Sequence, residues 1–489
     1  MIGRRGPRQH ELALCVVETP DTLTRRLLQK IDGRIDFEFV RALAAPRFAE
    51  RGRPSIDPVL MVKMMLIGHL FGIASDRQLV EECADRLSFR EFLGLNLSES
   101  LPAHASFTHW RQRLGPEWFR SVLHEIVRQC VGQGLEVSTA RTVDATTVKA
   151  QASEDGRCVE VPATESDVRG YLEQLFAGEA PELPAAGEGR RANLHDPEAG
   201  LQTKGHRPAE FAYQASFAVD AESGLVTDAT ATTFEEPATA LDHVCHDPYP
   251  VTELAADAHY DTTQGLSDLQ SRGVTTYVPK CPKGKAEQLS KAAFTYNAER
   301  DVYLCPEGKV LRHRGYWRAR RLHSYLAQAA DCGACPRKAE CTPAKRRRVT
   351  RTQGEEARER AVRSGPRYRE LSRRRRIHEY LHHVAKRDHG LRRARALGLA
   401  AMRIQATLTA VALNLKRLLR WWSSAPPAAV RAQCRGVAYP ETALGALRSA
   451  WAAVRHWPTL LGLLGAWIGR PDSHAPTTLR RFSASLAPT

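Results

Sequence analysis

Apolar residues recur at helical spacing between residues 20 and 135. The segment Ser-Ile-Asp-Pro at residues 55–58 offers an N-cap followed by a proline at the first helical position, and it opens an apolar run. Ser75 followed by Gln78 matches the capping box that begins a further helix. Short helices joined by tight turns fit a helix-turn-helix reader of DNA and a plain helical bundle equally well. This part of the chain is therefore predicted to be helical, with both interpretations open.

From Val137 onward the pattern changes to that of strands. Residues 142–148 read Thr-Val-Asp-Ala-Thr-Thr-Val, and this β-branched richness predicts a strand. Residues 153–207 are rich in Pro, Gly, Glu and Ala, and we expect a loop or a poorly ordered insertion there. Further strands are predicted at 210–219, 225–234, 253–258 and 275–279, with helices at 239–246, 262–271 and 373–422. This order predicts a mixed sheet flanked by helices, an α/β domain.

Length and charge narrow the class of protein. The 489 residues allow two to four domains, and the formal net charge is +16. The segment from Thr342 to Arg395 contains nineteen Lys or Arg residues and six Asp or Glu residues, so most of the excess positive charge lies in this one segment. Such a run is often a solvated helical face, but its share of the charge favours nucleic-acid contact. No secretory signal or membrane-spanning segment is readable, and eleven scattered cysteines do not resemble a disulfide framework.

Two aspartates occupy positions that suggest a site. Asp144 lies in the middle of the strand predicted at 142–148, and an unpaired buried carboxylate is costly, so an edge, a polar site or a metal must accommodate it. Asp257 lies at the end of the strand predicted at 253–258, at the rim where α/β sheets bind ligands. The alternative for Asp257 is an N-cap of the next helix, but Asp261 is better placed for that role.

A third acid lies on a predicted helix. An apolar stripe at helical spacing is formed by Ile377, Leu381 and Val384. On another face, Arg375, Glu379 and Lys386 fall within about 40–60° of one another. Standing alone, Arg375 and Glu379 would be read as an ordinary i, i+4 ion pair worth about 0.2–0.5 kcal/mol.

These segments together resemble a known family. Residues 27–114 are similar to the N-terminal domain of bacterial insertion-sequence transposases of the eleven-eighty-two-type group, related to the IS-four superfamily. The motifs that carry this similarity are Gly-Arg-Pro-Ser-Ile-Asp-Pro at 52–58, Leu-Phe-Gly-Ile at 70–73, Arg-Gln-Leu-Val-Glu-Glu at 77–82 and Phe-Leu-Gly-Leu at 92–95. Val-Asp-Ala-Thr at 143–146, Ala-Asp-Ala-His-Tyr-Asp at 256–261 and the helix with Glu379 resemble the three acidic motifs of a DDE catalytic core. The resemblance covers about residues 20–422, and Ser372 stands where related signatures carry a tyrosine.

The resemblance implies a fold and a chemistry. We expect a multidomain α+β chain in which a helical N-terminal domain precedes an RNase-H-like α/β catalytic core with a zinc-knuckle-like insertion. Asp144, Asp257 and Glu379 would bind Mg²⁺ or Mn²⁺, which support DNA strand cleavage and strand transfer to a target phosphodiester. By the same resemblance, Arg375 and Lys386 would hold the phosphates of the transposon end. DNA-binding candidates in the closing segment are Arg392 and Arg393.

Four cysteines between two of these motifs form a second candidate site. Cys305, Cys332, Cys335 and Cys341 give the spacing C-x26-C-x2-C-x5-C, which is typical of tetrahedral Zn²⁺ sites. Cys281 competes for a place in this set, and buried free thiols are the alternative interpretation. We expect a structural zinc that stiffens the basic insertion against DNA.

The sequence thus predicts three segments. They are a helical DNA-binding domain at 1–136, a catalytic core at 137–424 with a cysteine-containing insertion at 282–372, and a helical tail of unknown role at 425–489. The expected partners are terminal inverted repeats and target DNA, with at least a homodimer in the synapse, no membrane, and a cytoplasmic, nucleoid-associated location. The alternatives are a catalytically inactive transposase-derived DNA-binding protein and an RNase-H-like nuclease or resolvase.

Overall fold

The computed structural model describes most of the chain up to Ser424, and within that part the fold is a mixed α+β arrangement. Helices come first, a six-stranded sheet follows, and a second sheet of five strands precedes the last helices. This order confirms the predicted mixed α+β class. The described residues are 21–49, 55–152, 158–162, 167–178, 189–203, 208–233, 239–280, 289, 291–317, 322–352 and 355–424.

The N-terminal part is helical, as predicted. Asp57 caps α3 by accepting a hydrogen bond from Val59 N at 3.1 Å, and Ser75 caps α4 by accepting one from Gln78 N at 3.4 Å. All thirteen residues of α3 are buried, so this helix has no exposed face with which to enter a DNA groove. The helices are α1 Leu23–Asp32, α2 Phe39–Ala44, α3 Pro58–Leu70, α4 Asp76–Asp85, α5 Leu87–Leu93, α6 Ala105–Leu114 and α7 Pro116–Gly132.

The remaining elements alternate between strands and helices. The strands are β1 Ala140–Lys149, β2 Cys158–Pro162, β3 Gly189–Asn193, β4 Gly200–Gln202, β5 Glu210–Asp220, β6 Val226–Thr232, β7 Glu253–Ala255, β8 Thr275–Tyr277, β9 Thr295–Asn297, β10 Val302–Leu304, β11 Val310–Trp317, β12 Leu322–Leu326 and β13 Arg348–Thr352. The helices are α8 Val168–Ala177, α9 Thr239–His246, α10 Thr263–Ser271, α11 Ala329–Gly333, α12 Lys338–Cys341, α13 Glu355–Arg360, α14 Pro366–Arg374, α15 Ile377–Asp388 and α16 Leu399–Ser424.

The central sheet has β1 in its middle. Its order is β4-β5-β1-β7-β8, and β6 also pairs with β5. β1, β7 and β8 run parallel, whereas β5 runs antiparallel to β1, β4 and β6. The strands predicted around residues 142–148, 210–219 and 225–234 are confirmed by β1, β5 and β6.

The interpretation of residues 153–207 as a loop or poorly ordered insertion was wrong for the part that the structure describes. β2 and β3 form an antiparallel hairpin-like pair, α8 lies between them in sequence, and β4 joins the central sheet. Val161, Tyr171 and Leu172 are buried in a small hydrophobic core of this region. Short elements that gain stability from packing on one another leave little periodic signal in a sequence rich in Gly and Pro.

The insertion between β8 and α13 is built on a second sheet. Strands β9 to β13 pair antiparallel in the order β13-β12-β11-β10-β9 around a core with Tyr303, Leu311 and Tyr325. The cysteines at 305, 332 and 341 pack against this core. The predicted insertion therefore contains a small β-sheet with its own hydrophobic centre.

The helical part and the central sheet share one hydrophobic core. α16 packs against β6, α7 and α3, and buried residues from Leu28 to Leu418 belong to the same cluster. The stretch predicted to be helical at 373–422 contains the end of α14, then α15 and α16, which are separated by turns at Arg375–Arg376 and through residues 389–398. Gly390 and Gly398 provide positive φ angles of 73° and 89° in that second turn.

Among the helices that the structure describes, none combines the length and the apolar character needed to cross a membrane.

A buried ion pair fastens α7 to the central sheet. Arg120 donates two hydrogen bonds to the Asp228 carboxylate on β6, at 2.7 and 2.6 Å, and a third to Asp242 at 2.7 Å. Burial opposes the ionisation of Asp228, but hydrogen bonds from Arg120, His124 and His243 hold the pKa of this carboxyl well below its ordinary range. The carboxylate is therefore charged and depends on these donors.

We expect Arg120→Leu to destabilise the protein by about 3–5 kcal/mol, because it leaves a buried carboxylate without its charged partner. The melting temperature by calorimetry measures this. Arg128→Ala on the same helix is the matched control, since Arg128 forms a surface pair with Glu125 and its loss should cost less than about 1 kcal/mol. Equal melting temperatures for the two variants would show that the Arg120 pair does not hold α7 to the sheet.

Candidate active site

Two predicted site residues lie side by side on adjacent parallel strands, Asp144 in the middle of β1 and Asp257 just after β7. In the register of β1 and β7, Thr142 pairs with Ala255. Asp144 lies two residues after Thr142, and Asp257 lies two residues after Ala255. The two aspartates are therefore level with each other and on the same face of the sheet. Neighbouring strands lie about 4.8 Å apart, and this spacing brings the two carboxylates close together.

Helix α15 covers the face of the sheet on which Asp144 lies. The buried His378 Nε2 lies 3.0 Å from Thr142 Oγ1, two residues before Asp144 on β1. Just before the helix, Arg375 Nη1 donates to Asp144 Oδ2 at 3.1 Å. The structure thus brings together three of the predicted residues, Asp144, Asp257 and Arg375.

The surroundings of Asp144 oppose the ionisation of its carboxyl group. Burial raises the pKa of its carboxyl above the ordinary range, and the nearby negative charge of Asp257 adds to this effect. A hydrogen bond from Ala145 N at 2.8 Å and the Arg375 guanidinium act in the opposite direction. Two carboxylates that disfavour each other's charge form an oxygen-rich site that a divalent cation stabilises.

Asp257 begins a tight turn. Its side chain accepts a hydrogen bond from His259 N at 2.9 Å, and its Oδ2 lies 3.0 Å from His259 Nδ1. The expectation that Asp261 caps the next helix was wrong. Thr262 caps α10, and the buried Asp261 pairs with two arginines far along the chain, Arg358 and Arg363. The cap was misplaced because these partners leave no local signal in the sequence.

Glu379 lies exposed in the first turn of α15 and does not complete a three-carboxylate cluster. Among the residues that the structure describes, no group of three or more His, Cys, Asp or Glu side chains is arranged to hold a metal ion. The ion pair that the structure gives Arg375 is with Asp144 on β1. Glu379 lies four residues after Arg375 and four residues before His383, at an exposed position of α15.

A basic groove continues from Asp144 along β1. It has a volume of about 900 Å³, and its walls include Lys149 from β1 with His383 and Lys386 from α15. The exposed Arg392 lines it too, because the chain after α15 pairs with the end of β1: Lys149 N donates to Arg392 O at 3.1 Å. Arg393, also exposed, forms a bridge with Lys149 in the same place. The predicted DNA-binding residues Lys386, Arg392 and Arg393 therefore gather near the end of β1.

The four cysteines lie near one another at the edge of the second sheet. Cys305 Sγ accepts a hydrogen bond from Lys309 N at 3.3 Å, and Cys332 Sγ accepts one from Arg347 N at 3.5 Å. Burial raises the pKa of Cys341, and the other three thiols add to this shift while Arg347 opposes it. Cys281, the fifth candidate, lies outside the described residues.

Sequence reasoning missed a buried network behind this site. It joins Asp228 on β6, His243 on α9, Ser216 on β5 and Tyr260 in the turn after Asp257. One signal was present, since Asp228 lies inside a β-branched strand just as Asp144 does. Burial raises the pKa of Tyr260 to about 12, so its hydroxyl group remains a hydrogen-bond donor at neutral pH.

Two family models match parts of the chain. Residues 18–113 match the family model described as Transposase domain (DUF772), and residues 304–419 match the one described as Transposase DDE domain. A comparison with curated proteins finds no match. Among solved structures, the chain is similar to a cryo-EM structure of the piggyBac transposase synaptic complex with hairpin DNA, with 10% identity, 84% of each chain covered and a TM-score of 0.30.

The two family matches identify the chain as a DNA transposase, and the second shows an enzyme of the DDE type. Arg375, Glu379 and Lys386 lie inside the matched DDE segment, whereas Asp144 and Asp257 lie between the two matched segments.

Proposed function

We propose that this transposase cleaves DNA at the ends of its element and transfers the strand to target DNA, using Asp144, Asp257 and Glu379. The observation that carries this proposal is the level position of Asp144 and Asp257 on adjacent parallel strands, beside Arg375 at the start of α15. Glu379 is included because its helix resembles the third acidic motif of a DDE core and lies within the matched DDE segment.

The strand order supports an RNase-H-like core. Reading across the sheet, the strands follow as β6, β5, β1, β7 and β8, and β1, β7 and β8 are parallel. If these five strands are numbered in chain order, their order across the sheet is 3-2-1-4-5. Strand 1 of this numbering carries Asp144. We further place the protein in the eleven-eighty-two-type group on the strength of its sequence motifs.

The donor set fits Mg²⁺ or Mn²⁺. Asp144 and Asp257 offer hard carboxylate oxygens, and Glu379 would add a third carboxylate. When bound, two such ions supply Lewis-acid activation of the attacking oxygen and stabilise the leaving oxygen in phosphoryl transfer. The protein's own part is to hold the carboxylates, to orient Asp144 through Arg375, and to bind the DNA phosphates.

The groove beside Asp144 provides the DNA path. Lys386 and Arg392 supply positive charge along it, Arg393 lies beside it through its bridge to Lys149, and Glu210 partly offsets Lys149 through a 2.9 Å ion pair. Phosphate contacts of this kind give affinity that falls with salt and carries no sequence information. We propose that reading of the terminal inverted repeats falls to residues 1–136, that residues 137–424 hold the catalytic core, and that two protomers pair the two ends.

Conservative replacement of the carboxylates tests the proposal. We expect Asp144→Asn, Asp257→Asn and Glu379→Gln each to lower cleavage of a labelled duplex carrying the element's own end by roughly 10²–10⁴-fold, since metal-assisted stabilisation supplies several kcal/mol. DNA binding in a gel-shift assay should stay nearly unchanged. Asp144→Asn should fold at least as stably as wild type, because it removes a carboxylate whose ionised form is disfavoured by burial and by Asp257.

Asp268→Asn is the matched control, since Asp268 is a half-buried carboxylate of α10 that accepts a local hydrogen bond from Gln264 on the same helix. It should cleave like the wild type. Retained cleavage in any one of the three site variants would remove that residue from the metal set. DNA binding by the wild type without cleavage, in Mg²⁺ and in Mn²⁺, would favour the inactive DNA-binding alternative.

We also propose that Cys305, Cys332, Cys335 and Cys341 hold a structural Zn²⁺. Backbone N–H groups donate to two of these sulphurs, an arrangement that stabilises thiolates, and the other three thiols help to raise the pKa of Cys341. A bound cation would offset that mutual charge. The metal would then tie the loop after β10 to the helices α11 and α12.

Metal analysis of the purified full-length chain tests the zinc proposal. We expect one equivalent of Zn²⁺ per chain in the wild type and its loss in Cys335→Ser, because a tetrahedral site needs all four ligands. Cys245→Ser, which changes an exposed thiol on α9, should keep the metal. A zinc-supplemented wild type without stoichiometric metal, or a Cys335→Ser variant that retains it, would exclude this site.

A further inference from the structure

Tyr260 lies at the end of the turn that Asp257 begins. Tyr260 N donates to Asp257 O at 3.2 Å, so the two residues close one turn of 3₁₀ helix. The ring of Tyr260 packs against the hydrophobic cluster that contains Val143 and Ala218, which share one face of the sheet. Because Val143 and Asp144 point to opposite faces, this ring supports the site from the far side of β1.

Three hydroxyl groups meet beneath β1. Tyr260 OH lies 3.2 Å from Thr239 Oγ1, which lies 3.2 Å from Ser216 Oγ. Ser216 is also a hydrogen-bond partner of Tyr260, and it pairs with Ala145, the residue after Asp144. The turn that carries Asp257 is thus bonded to the strand next to the one that carries Asp144.

This hydroxyl cluster is itself held by buried charges. Ser216 Oγ lies 2.9 Å from His243 Nε2, and His243 Nδ1 lies 2.7 Å from Asp228 Oδ2. A carboxylate can only accept, so His243 Nδ1 is the donor. Two residues of α7 bind the same carboxylate. Arg120 donates to Asp228 Oδ2 at 2.6 Å, and His124 Nε2 lies 3.0 Å from Asp228 Oδ1. Each link is buried or half-buried, and the network reaches from the N-terminal helices to the turn.

The Ser216–His243–Asp228 arrangement has the order of a hydrolytic triad, but its surroundings give it another role. Ser216 and Asp228 have no exposed surface, so no substrate carbonyl reaches the hydroxyl group. The Ser216 oxygen is also engaged by Thr239. Ser216, His243 and Asp228 therefore orient one another through hydrogen bonds. Tyr260 lies at the end of this network that is next to the carboxylates of Asp144 and Asp257.

We infer that Tyr260 is a positioning residue for the metal carboxylates: its hydroxyl group fastens the Asp257 turn to the buried network and thereby sets Asp257 against Asp144. The inference rests on the proposed function, in which these two carboxylates bind a divalent cation. The negative charges of Asp257, on a short turn, and Asp144, on β1, repel each other. A hydrogen bond that holds the turn in place keeps the distance between the two carboxylates constant. Groups behind metal ligands typically change metal affinity by about 10–100-fold when they are removed.

Direct Mn²⁺ binding tests the inference. The full-length protein is titrated with Mn²⁺, and free Mn²⁺ is read by electron paramagnetic resonance. We expect Tyr260→Phe, which removes one oxygen and keeps the ring, to raise the Kd for Mn²⁺ at the carboxylate site by about tenfold. Tyr171→Phe is the matched control, because the buried Tyr171 hydroxyl has no hydrogen-bond partner among the described residues. It should bind Mn²⁺ like the wild type.

Two further readouts separate positioning from simple destabilisation. In the cleavage assay, Tyr260→Phe should need about tenfold more Mn²⁺ for half-maximal rate and recover most of the wild-type rate at saturating Mn²⁺. Ser216→Ala should raise the Kd as well, and combining it with Tyr260→Phe should add less than the sum of the two effects, since both break one network.

The outcomes are distinguishable. A Tyr260→Phe variant with wild-type Mn²⁺ affinity, whatever its melting temperature, overturns the positioning role and leaves the proposed function intact. Mn²⁺ binding that is the same in the wild type and in Asp144→Asn shows that the carboxylates do not bind the cation, and both proposals then fail. A raised Kd in Tyr260→Phe but not in Tyr171→Phe, with binding lost in Asp144→Asn, supports both.

Discussion

The parallel pairing of β1 with β7 is the constraint on which the rest of the site depends. This register places Asp144, in the middle of β1, level with Asp257, just beyond the end of β7. A shift of one residue would turn one carboxylate to the opposite face of the sheet, because side chains alternate along a strand. Because Asp144 is fixed in this way, Arg375, which lies just before α15, can donate a hydrogen bond to it.

Buried charge maintains this register at several places. Arg141 on β1 is 1% exposed and donates to Asp220 on β5 and to Asp247 beyond α9. Arg120 binds Asp228 from the N-terminal helices. Such pairs contribute little net stability compared with apolar packing, but removing one partner is costly, so they specify a single arrangement of strands and helices. The N-terminal helices are thus bonded to the sheet that carries Asp144, and the two parts share one hydrophobic core.

The elements with strong local signals were predictable from the sequence. The caps at Asp57 and Ser75 and the β-branched strand around Asp144 follow from short-range chemistry, and the structure has them as expected. The small elements between residues 158 and 202 were not, because their stability comes from packing on one another. The partners of Asp261 are about one hundred residues away, and only the folded chain brings them together.

The candidate site was partly predictable for the same reason. A mid-strand position makes Asp144 a candidate from sequence alone, and a strand-end position does the same for Asp257, whereas the placement of Glu379 depends on how α15 packs on the sheet. The network behind Tyr260 joins residues from four separate segments, and its members are ordinary core positions when read singly. Asp228 is the exception, since an acid inside a β-branched strand requires buried partners.

Diffraction from crystals of the full chain grown with Mn²⁺, using its anomalous scattering, tests the central claim most directly. We expect an anomalous peak between the carboxylates of Asp144 and Asp257, with the side chain of Glu379 turned towards it from α15. Manganese bound elsewhere, with Asp144 still paired only to Arg375, would contradict the assignment of these three acids as one metal site.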